Sequence, residues 1–327
     1  MKGLHCDPAA ETRGNGDPAV PRSHKSVAVR KAPDAKLSTV SEPWESALQR
    51  ITGELRQARL KLQAAAGVSP AGVIQALDGI EVRLARPLRV AIVGEFNSGK
   101  SSLANLLIRI EGLPTAVVSS TQIPTLLYHS ATPKVFVVHQ DGRRQEVRNT
   151  GSSPEPSITR LEVGLPSPYL RGIEILDLPG LADPRFDRGV GDLMLQTADV
   201  LLWCTVSTQA WKESERTAWQ MLPARLRRWA LLVVTHSDLV RGAEDAHKLL
   251  RRLRVEAGEF RDILLVSTIN ALAVLERDDP DNAGWLATGA GGVEAALNQL
   301  LESIAARRIK VALTITHRIA RRALAGL

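Results

Sequence analysis

Cysteine is scarce in this 327-residue chain: only Cys6 and Cys204 occur. Two cysteines make no disulfide framework, and they suit a reducing compartment. No run of about eighteen apolar residues exists, so no membrane-spanning helix is expected. The first thirty residues hold no apolar core of about seven, so no secretory leader is expected. Internal repeats are missing too. The expected location is the cytoplasm. What remains is ordinary for a globular protein: 44% hydrophobic and 24% charged residues, which excludes a wholly disordered, collagen-like or coiled-coil chain.

The net charge of +7 is uneven. Residues 301–327 carry six Lys or Arg against one Glu, and residues 1–43 carry seven against five. The stretch between them is neutral. The basic character therefore belongs to the ends, and it points to an anionic partner near residues 301–327 rather than along the main domain.

Residues 1–43 mix Pro, Gly, Ser, Asp and Lys without hydrophobic period and read as a disordered tail. Residues 44–86 read as two helices. The first carries Leu48, Ile51, Leu55, Leu60 and Leu62 at helical spacing, with Ser41 as a cap. The second carries Val73, Leu77, Ile80 and Leu84 and stops at Pro87. Residues 87–306 alternate short apolar runs with helical stretches. The runs are 88–94, 125–129, 134–139, 158–163, 173–177, 200–204, 230–235 and 263–266. Several are unbroken Val, Ile and Leu, the pattern of parallel strands buried on both faces. The helical stretches are 101–110, 212–228, 243–258 and 292–308. This predicts an α/β fold with a mostly parallel sheet flanked by helices. Residues 125–164 are strand-rich without helices, and an antiparallel edge hairpin turning at Asp141-Gly142 fits there.

The strongest motif is Gly94-Glu95-Phe96-Asn97-Ser98-Gly99-Lys100-Ser101, which matches the phosphate-loop pattern G-x-x-x-x-G-K-[ST]. It follows an apolar strand and opens a helix, the context the chemistry needs. The glycines let successive N–H groups face phosphates, and the helix N-terminus adds positive potential. Lys100 reaches the β- and γ-phosphates, the Ser101 hydroxyl ligates Mg²⁺, and Ser102 continues the binding loop. A glycine turn with one exposed lysine is the plainer alternative.

Three further segments follow in order. Asp177-Leu178-Pro179-Gly180 ends an apolar run about eighty residues on. Asp177 there holds Mg²⁺ through water, and the Gly180 N–H touches the γ-phosphate; an ordinary turn reads the same. Thr235-His236-Ser237-Asp238 ends the next but one. Guanine presents an N1–H beside an exocyclic amine, and one carboxylate accepts from both. Asp238 is the candidate base reader, with a helix cap as its plainer role. Ser267-Thr268 ends the last run, where backbone N–H groups would face the guanine carbonyl or simply cap a helix. Between the first two motifs a threonine should ligate Mg²⁺ and sense the γ-phosphate. Thr121 is the first choice, with Ser120 and Thr125 as competitors.

Three segments together resemble bacterial dynamin-like GTPases. They are the run Val-Ala-Ile-Val-Gly-Glu-Phe-Asn-Ser-Gly-Lys-Ser-Ser-Leu-Ala-Asn-Leu-Leu (90–107), Leu-Pro-Thr-Ala-Val-Val-Ser-Ser-Thr (113–121) and Ile-Leu-Asp-Leu-Pro-Gly-Leu-Ala-Asp (175–183). The resemblance covers about 85–305. It implies GTP hydrolysis to GDP and phosphate, activation by homodimerisation of the GTPase domains, and work at a membrane surface, here the inner face. It also implies a helical bundle from segments flanking the domain, to which 44–86 and 292–327 correspond. Only about two dozen residues follow the last domain helix, so a stalk-bearing dynamin-like partner is the expected complement. The sequence departs from the pattern at His236, where a lysine is usual. It also has Phe96 at a P-loop position that carries a catalytic Gln in many dynamins, and Leu181 where small GTPases carry a water-orienting Gln. Asn97 matches the cation ligand of potassium-activated GTPases. It either binds K⁺ or merely supports the loop.

Residues 307–327 read as a basic amphipathic helix. Leu301, Ile304, Ala305, Ile309, Ala312, Ile315 and Ile319 fall on one face, Arg307, Lys310, His317, Arg318 and Arg321 on the other. Arg308 and Arg322 intrude on the apolar side. Such a helix either packs in the bundle or meets anionic lipid. Two other readings remain: a translation-class GTPase that binds RNA, against which the want of a KH-like module counts, and a GTP-binding switch with weak catalysis.

Overall fold

The computed structural model describes residues 28–29, 53, 56–57, 60, 71–111, 123–147, 157–180, 188–277 and 282–325. Its frame is a nine-stranded sheet. The strands are β2 (Leu88–Gly94), β4 (Thr125–His129), β5 (Lys134–His139), β6 (Arg144–Glu146), β7 (Ile158–Leu165), β8 (Ile173–Asp177), β9 (Val200–Val206), β10 (Ala230–Thr235) and β11 (Asp262–Leu265). Their order is β11-β10-β9-β2-β8-β4-β7-β5-β6. The first five strands of this order run parallel, and β4 joins β8 antiparallel. The β5–β6 hairpin closes the far edge, and Gly142 takes φ 81° in its turn. Two short strands, β1 (Ala28–Val29) and β3 (Ile110–Glu111), pair separately. The former lies inside the stretch expected to be a tail.

The helices are α1 (Ala71–Ala85), α2 (Lys100–Ile108), α3 (Arg188–Leu195), α4 (Glu213–Gln220), α5 (Ala224–Arg227), α6 (Gly242–Glu256), α7 (Thr268–Leu275), α8 (Asn282–Ala287) and α9 (Ala290–Ala325). The stretch 212–228, expected as one helix, is two, because Pro223 has no N–H to continue the first.

Each central strand is buried on both sides, and its alternate residues serve two cores. Val90, Ile92, Val200, Leu202, Cys204, Leu231 and Val233 join the layer under α2, α7 and α9. Ala91, Val93, Leu201, Trp203, Leu232 and Val234 join the layer under α4 and α6. Burying one such aliphatic side chain contributes about 1.5–3 kcal/mol, so these strands are the rigid platform on which the loops at their C-terminal ends stand.

Helix α9 runs unbroken through 306/307 and packs on α1. Arg308, which looks misplaced on an apolar stripe, donates to Asp199 Oδ2 at 2.6 Å and to the Arg86 carbonyl at 2.9 Å. Asp199 also accepts from Arg86 at 3.0 Å and from the Arg89 N–H at 2.9 Å. A charge satisfied in this way belongs on the packed side. Ala312 is buried as expected, but the stripe then departs from the expected one: Thr316 is buried, while Ile315 is exposed. Thr316 is tolerated because its hydroxyl donates to the Ala312 carbonyl at 2.9 Å. Gly53, Arg56, Gln57 and Leu60 are helical, as expected for the segment before α1, and Leu60 is exposed rather than facing a core. The rest of that segment lies outside the described residues.

Candidate functional site

The turn from β2 into α2 forms a loop of alternating backbone hand. Asn97 takes φ 58° and Gly99 φ 80°. Gly94 sits where a Cβ would stand 2.2 Å from the Cys204 carbonyl oxygen, so only glycine lets β2 end against β9. Lys100 is buried, and its ammonium donates to the Glu95 carbonyl at 2.6 Å. Burial pushes its pKa down, against the opposing pull of Asp177 and Glu95. An ammonium parked on a loop carbonyl is available to a phosphate that enters.

Asp177 stands at the end of β8, the neighbour of β2. Ser101 Oγ donates to its Oδ2 at 2.8 Å. Burial pushes the Asp177 carboxyl up, against the Ser101 hydrogen bond and the Lys100 charge. Its Oδ1 is buried and, among the described residues, has no hydrogen-bond partner. A hydroxyl and a desolvated carboxylate with a spare oxygen fit a hard divalent cation such as Mg²⁺, which takes one or two protein oxygens and fills its shell with water and phosphate. Gly180 follows; a Cβ there would lie 2.8 Å from the Phe96 N, so the second switch begins in contact with the phosphate loop. Thr125, a competitor for the sensing role, is buried at the start of β4, in register with Asp177, with its hydroxyl on the Ile123 carbonyl at 3.2 Å. Thr121, Ser120 and Leu181 lie outside the described residues.

The base motif meets this loop directly. Thr235 is buried at the end of β10, and its Oγ1 lies 2.9 Å from the Ser98 carbonyl. His236 takes φ 54°, and its Nδ1 stands 2.9 Å from Thr235 Oγ1. Asp238 and Ser267, read as separate motifs, touch: Ser267 Oγ donates to Asp238 Oδ1 at 2.6 Å while accepting the Asn270 N–H as the cap of α7. Thr268, the first residue of that helix, is buried. A cavity of about 350 Å³ is lined by Phe96, Asn97, Lys100, Ser101, Asp177 and His236, with Ser102 and Gly99 beside them. Phosphate loop, second switch and the start of the base motif therefore share one cavity, and Asp238 and Ser267 stand together just beyond. No group of three or more His, Cys, Asp or Glu able to hold a metal occurs among the described residues.

Three contacts have no signal in the sequence. Ser207 Oγ donates to the His236 carbonyl at 2.7 Å. Lys212 Nζ and Ser214 Oγ both donate to the Glu95 carboxylate, the former at 2.9 Å. They lie more than a hundred residues from their partner, and only topology brings them together.

The mostly parallel sheet, the β2–loop–α2 turn and Asp177 on the adjacent strand define a P-loop GTPase fold. The sequence model of the Dynamin family matches residues 90–236. The isoniazid-induced protein IniC of Mycobacterium tuberculosis is 36% identical over 128 residues, 36% of this chain and 26% of that protein. Dynamin-like protein 2 of Campylobacter jejuni subsp. jejuni is 27% identical over 199 residues, 56% of this chain and 31% of that protein. Among solved structures, one of an oligomerised bacterial dynamin pair superposes with a TM-score of 0.62 at 19% identity, covering 88% of this chain and 57% of that one. That structure is described as providing a mechanism for long-range sensing and tethering of membranes. Residues 90–236 thus match the Dynamin family, and the fold is shared with the bacterial dynamin structure. The chain spans less than a third of the length of these two curated relatives.

Proposed function

We propose that this chain binds GTP with Mg²⁺ and hydrolyses it to GDP and phosphate. The observation that carries the reading is the meeting, in one cavity, of Lys100, the Ser101–Asp177 pair and the base motif behind them. The loop N–H groups and the start of α2 receive the β- and γ-phosphates. Lys100 leaves the Glu95 carbonyl and neutralises their charge. Ser101 and Asp177 would hold Mg²⁺, which would supply charge compensation to the phosphates. Asp238 accepts from the N1–H and amine of guanine, with Ser267 fixing its carboxylate. Ser267-Thr268 offers backbone N–H groups to the guanine carbonyl. His236 stands where a lysine would cover the base, so it gives a weaker contact. Gly180 lies against the Phe96 backbone, close enough to move with the phosphate loop when the γ-phosphate is present. Hydrolysis breaks the bond between the γ-phosphorus and the β–γ bridging oxygen. Water adds to phosphorus in line, and GDP leaves.

The finer reading has three parts. Two GTPase domains pair to complete the site, because no glutamine lines the cavity among the described residues. Asn97, held in a left-handed turn at the mouth of the cavity, offers its side-chain oxygen to K⁺. The protein works at a membrane surface or beside a stalk-bearing dynamin-like partner. That part is supported by what the similar bacterial dynamin pair is described as doing and by the basic α9; among the described residues no helix is long and apolar enough to cross a membrane.

The test is GTP turnover against protein concentration, in KCl and in NaCl, with Lys100→Ala as background. A specific rate that climbs with concentration and is higher in KCl supports the full reading. A rate that stays at the Lys100→Ala level while GTP is bound leaves a binding switch and removes the hydrolytic part.

A further inference from the structure

Glu95 is the second residue of the phosphate loop, yet it does not line the cavity. Lys212 Nζ donates to Oε2 at 2.9 Å and Ser214 Oγ donates to Oε1. At its other end, the Glu95 carbonyl holds the Lys100 ammonium. One residue thus connects the start of α4 to the cation that meets phosphate.

The two donors are aimed by a costly backbone. Trp211, just before Lys212, takes φ 64°, a conformation that bulky side chains rarely adopt. The surroundings over-determine it. Its N–H donates to Thr205 Oγ1 at 3.1 Å, and its indole donates to the Glu256 carbonyl at 3.1 Å. Its ring meets Trp203 edge-on at 5.8 Å and Phe260 at 5.2 Å, and Trp219 completes the cluster. Glu215, 2% exposed, then ties the turn to the strand. Its carboxylate accepts from the Trp203 indole at 3.2 Å, from Thr205 Oγ1 at 2.9 Å and from the Lys212 N–H at 2.9 Å. At the opposite end of the same loop, Ser207 holds the His236 carbonyl. Residues 207–214 therefore touch the phosphate half of the site and the base half at once.

We infer that this loop is a positioning device: Lys212 and Ser214, aimed by the left-handed Trp211, hold the phosphate loop through Glu95 in the shape that receives the triphosphate. Lys212 and Ser214 are positioning residues, since they reach the nucleotide only through Glu95 and Lys100. The inference rests on the guanine-nucleotide reading above and adds that a segment remote in sequence sets the affinity. The clamp is half exposed, and an exposed ion pair contributes little to stability. Its worth lies in geometry, where a displacement of about 1 Å at a reacting group costs up to about a hundredfold.

The experiment uses the full chain and a fluorescent N-methylanthraniloyl GTP with Mg²⁺. It measures affinity, the change in tryptophan emission when nucleotide seats, and melting temperature, for wild type, Lys212→Ala, Lys212→Arg and Ser214→Ala. The device predicts that Lys212→Ala weakens affinity about tenfold or more and uncouples the tryptophan signal, with melting temperature nearly unchanged. Lys212→Arg, which keeps the ion pair, retains both. Wild-type affinity and signal in Lys212→Ala would overturn the inference alone, as would a loss that merely follows a fall in melting temperature. A wild-type protein that binds no guanine nucleotide would overturn the underlying reading and this inference with it.

Discussion

The Ser101 hydroxyl donates to Asp177 Oδ2 at 2.8 Å, joining the first turn of α2 to the end of β8. Two residues 76 apart in sequence thereby bring a hydroxyl and a carboxylate together in the cavity that Lys100 also lines. Ser101→Ala removes one oxygen and leaves Asp177 buried without its donor. We expect GTP turnover to fall at least about tenfold and the Mg²⁺ concentration for half-maximal rate to rise. A magnesium titration of both proteins checks this; an unchanged midpoint would remove Ser101 from the metal site.

In the proposed reading Asp238 selects the base. Asp238→Asn replaces an acceptor by an amide that also donates. Guanine then loses its partner, while xanthine, with a carbonyl in place of the amine, gains one. The variant should prefer xanthosine triphosphate to GTP, by about a hundredfold relative to wild type, because the guanine N1–H and amine lose hydrogen bonds to a charged acceptor. Competition binding with both nucleotides measures the ratio. An unaltered preference would return Asp238 to a capping role.

Glu294 anchors α9 beneath the site. Its carboxylate pairs with Arg109, the buried residue that follows α2, whose guanidinium also stacks on Tyr169 at 4.5 Å and Trp285 at 4.9 Å. Burial pushes the Glu294 carboxyl up and the Arg109 charge opposes this. Removing one member leaves an uncompensated buried charge. Glu294→Ala should destabilise the fold by about 3–5 kcal/mol in denaturant unfolding. A loss below about 1 kcal/mol would mean that the pair contributes no more than an exposed one.

Cys204 is sealed in β9, and burial pushes its thiol up to about 12, with the Lys100 charge opposing and Asp177 and Glu215 adding to the rise. At pH 8 only about one such thiol in ten thousand is ionised. Iodoacetamide at that pH should leave Cys204 unmodified in the folded protein and alkylate it in urea, as peptide mass spectrometry reads. The neighbouring Gly94→Ala, whose Cβ would meet the Cys204 carbonyl, should destabilise by about 1–3 kcal/mol and open Cys204 to the reagent. Equal labelling of the folded and unfolded chain would contradict the packing of β2 against β9.

Much of the frame was legible because its signals are local. The runs 125–129, 134–139, 173–177 and 230–235 coincide with β4, β5, β8 and β10, since each holds a short apolar core of Leu, Ile or Val, and β10 is buried along its whole length. The phosphate loop announces itself by spacing that only its backbone requires. What escaped was long-range. Arg308 looks wrong on an apolar stripe until Asp199 is beside it. Ile315 fits helical spacing, yet the buried stripe passes through Thr316 instead. Glu95 reads in the sequence as one more member of the phosphate loop, and the donors that hold its carboxylate lie over a hundred residues on. Pro223 was a local signal that a continuous-looking 212–228 concealed.

The central claim is that this cavity takes a guanine nucleotide. Calorimetric titration of the full chain with GTP and, separately, ATP, each with Mg²⁺, tests it most directly. The account predicts one GTP bound per chain, no measurable ATP binding, and loss of the GTP signal in Lys100→Ala. Equal binding of ATP and GTP would contradict the role of Asp238, and GTP binding undiminished in Lys100→Ala would place the nucleotide somewhere other than the phosphate loop.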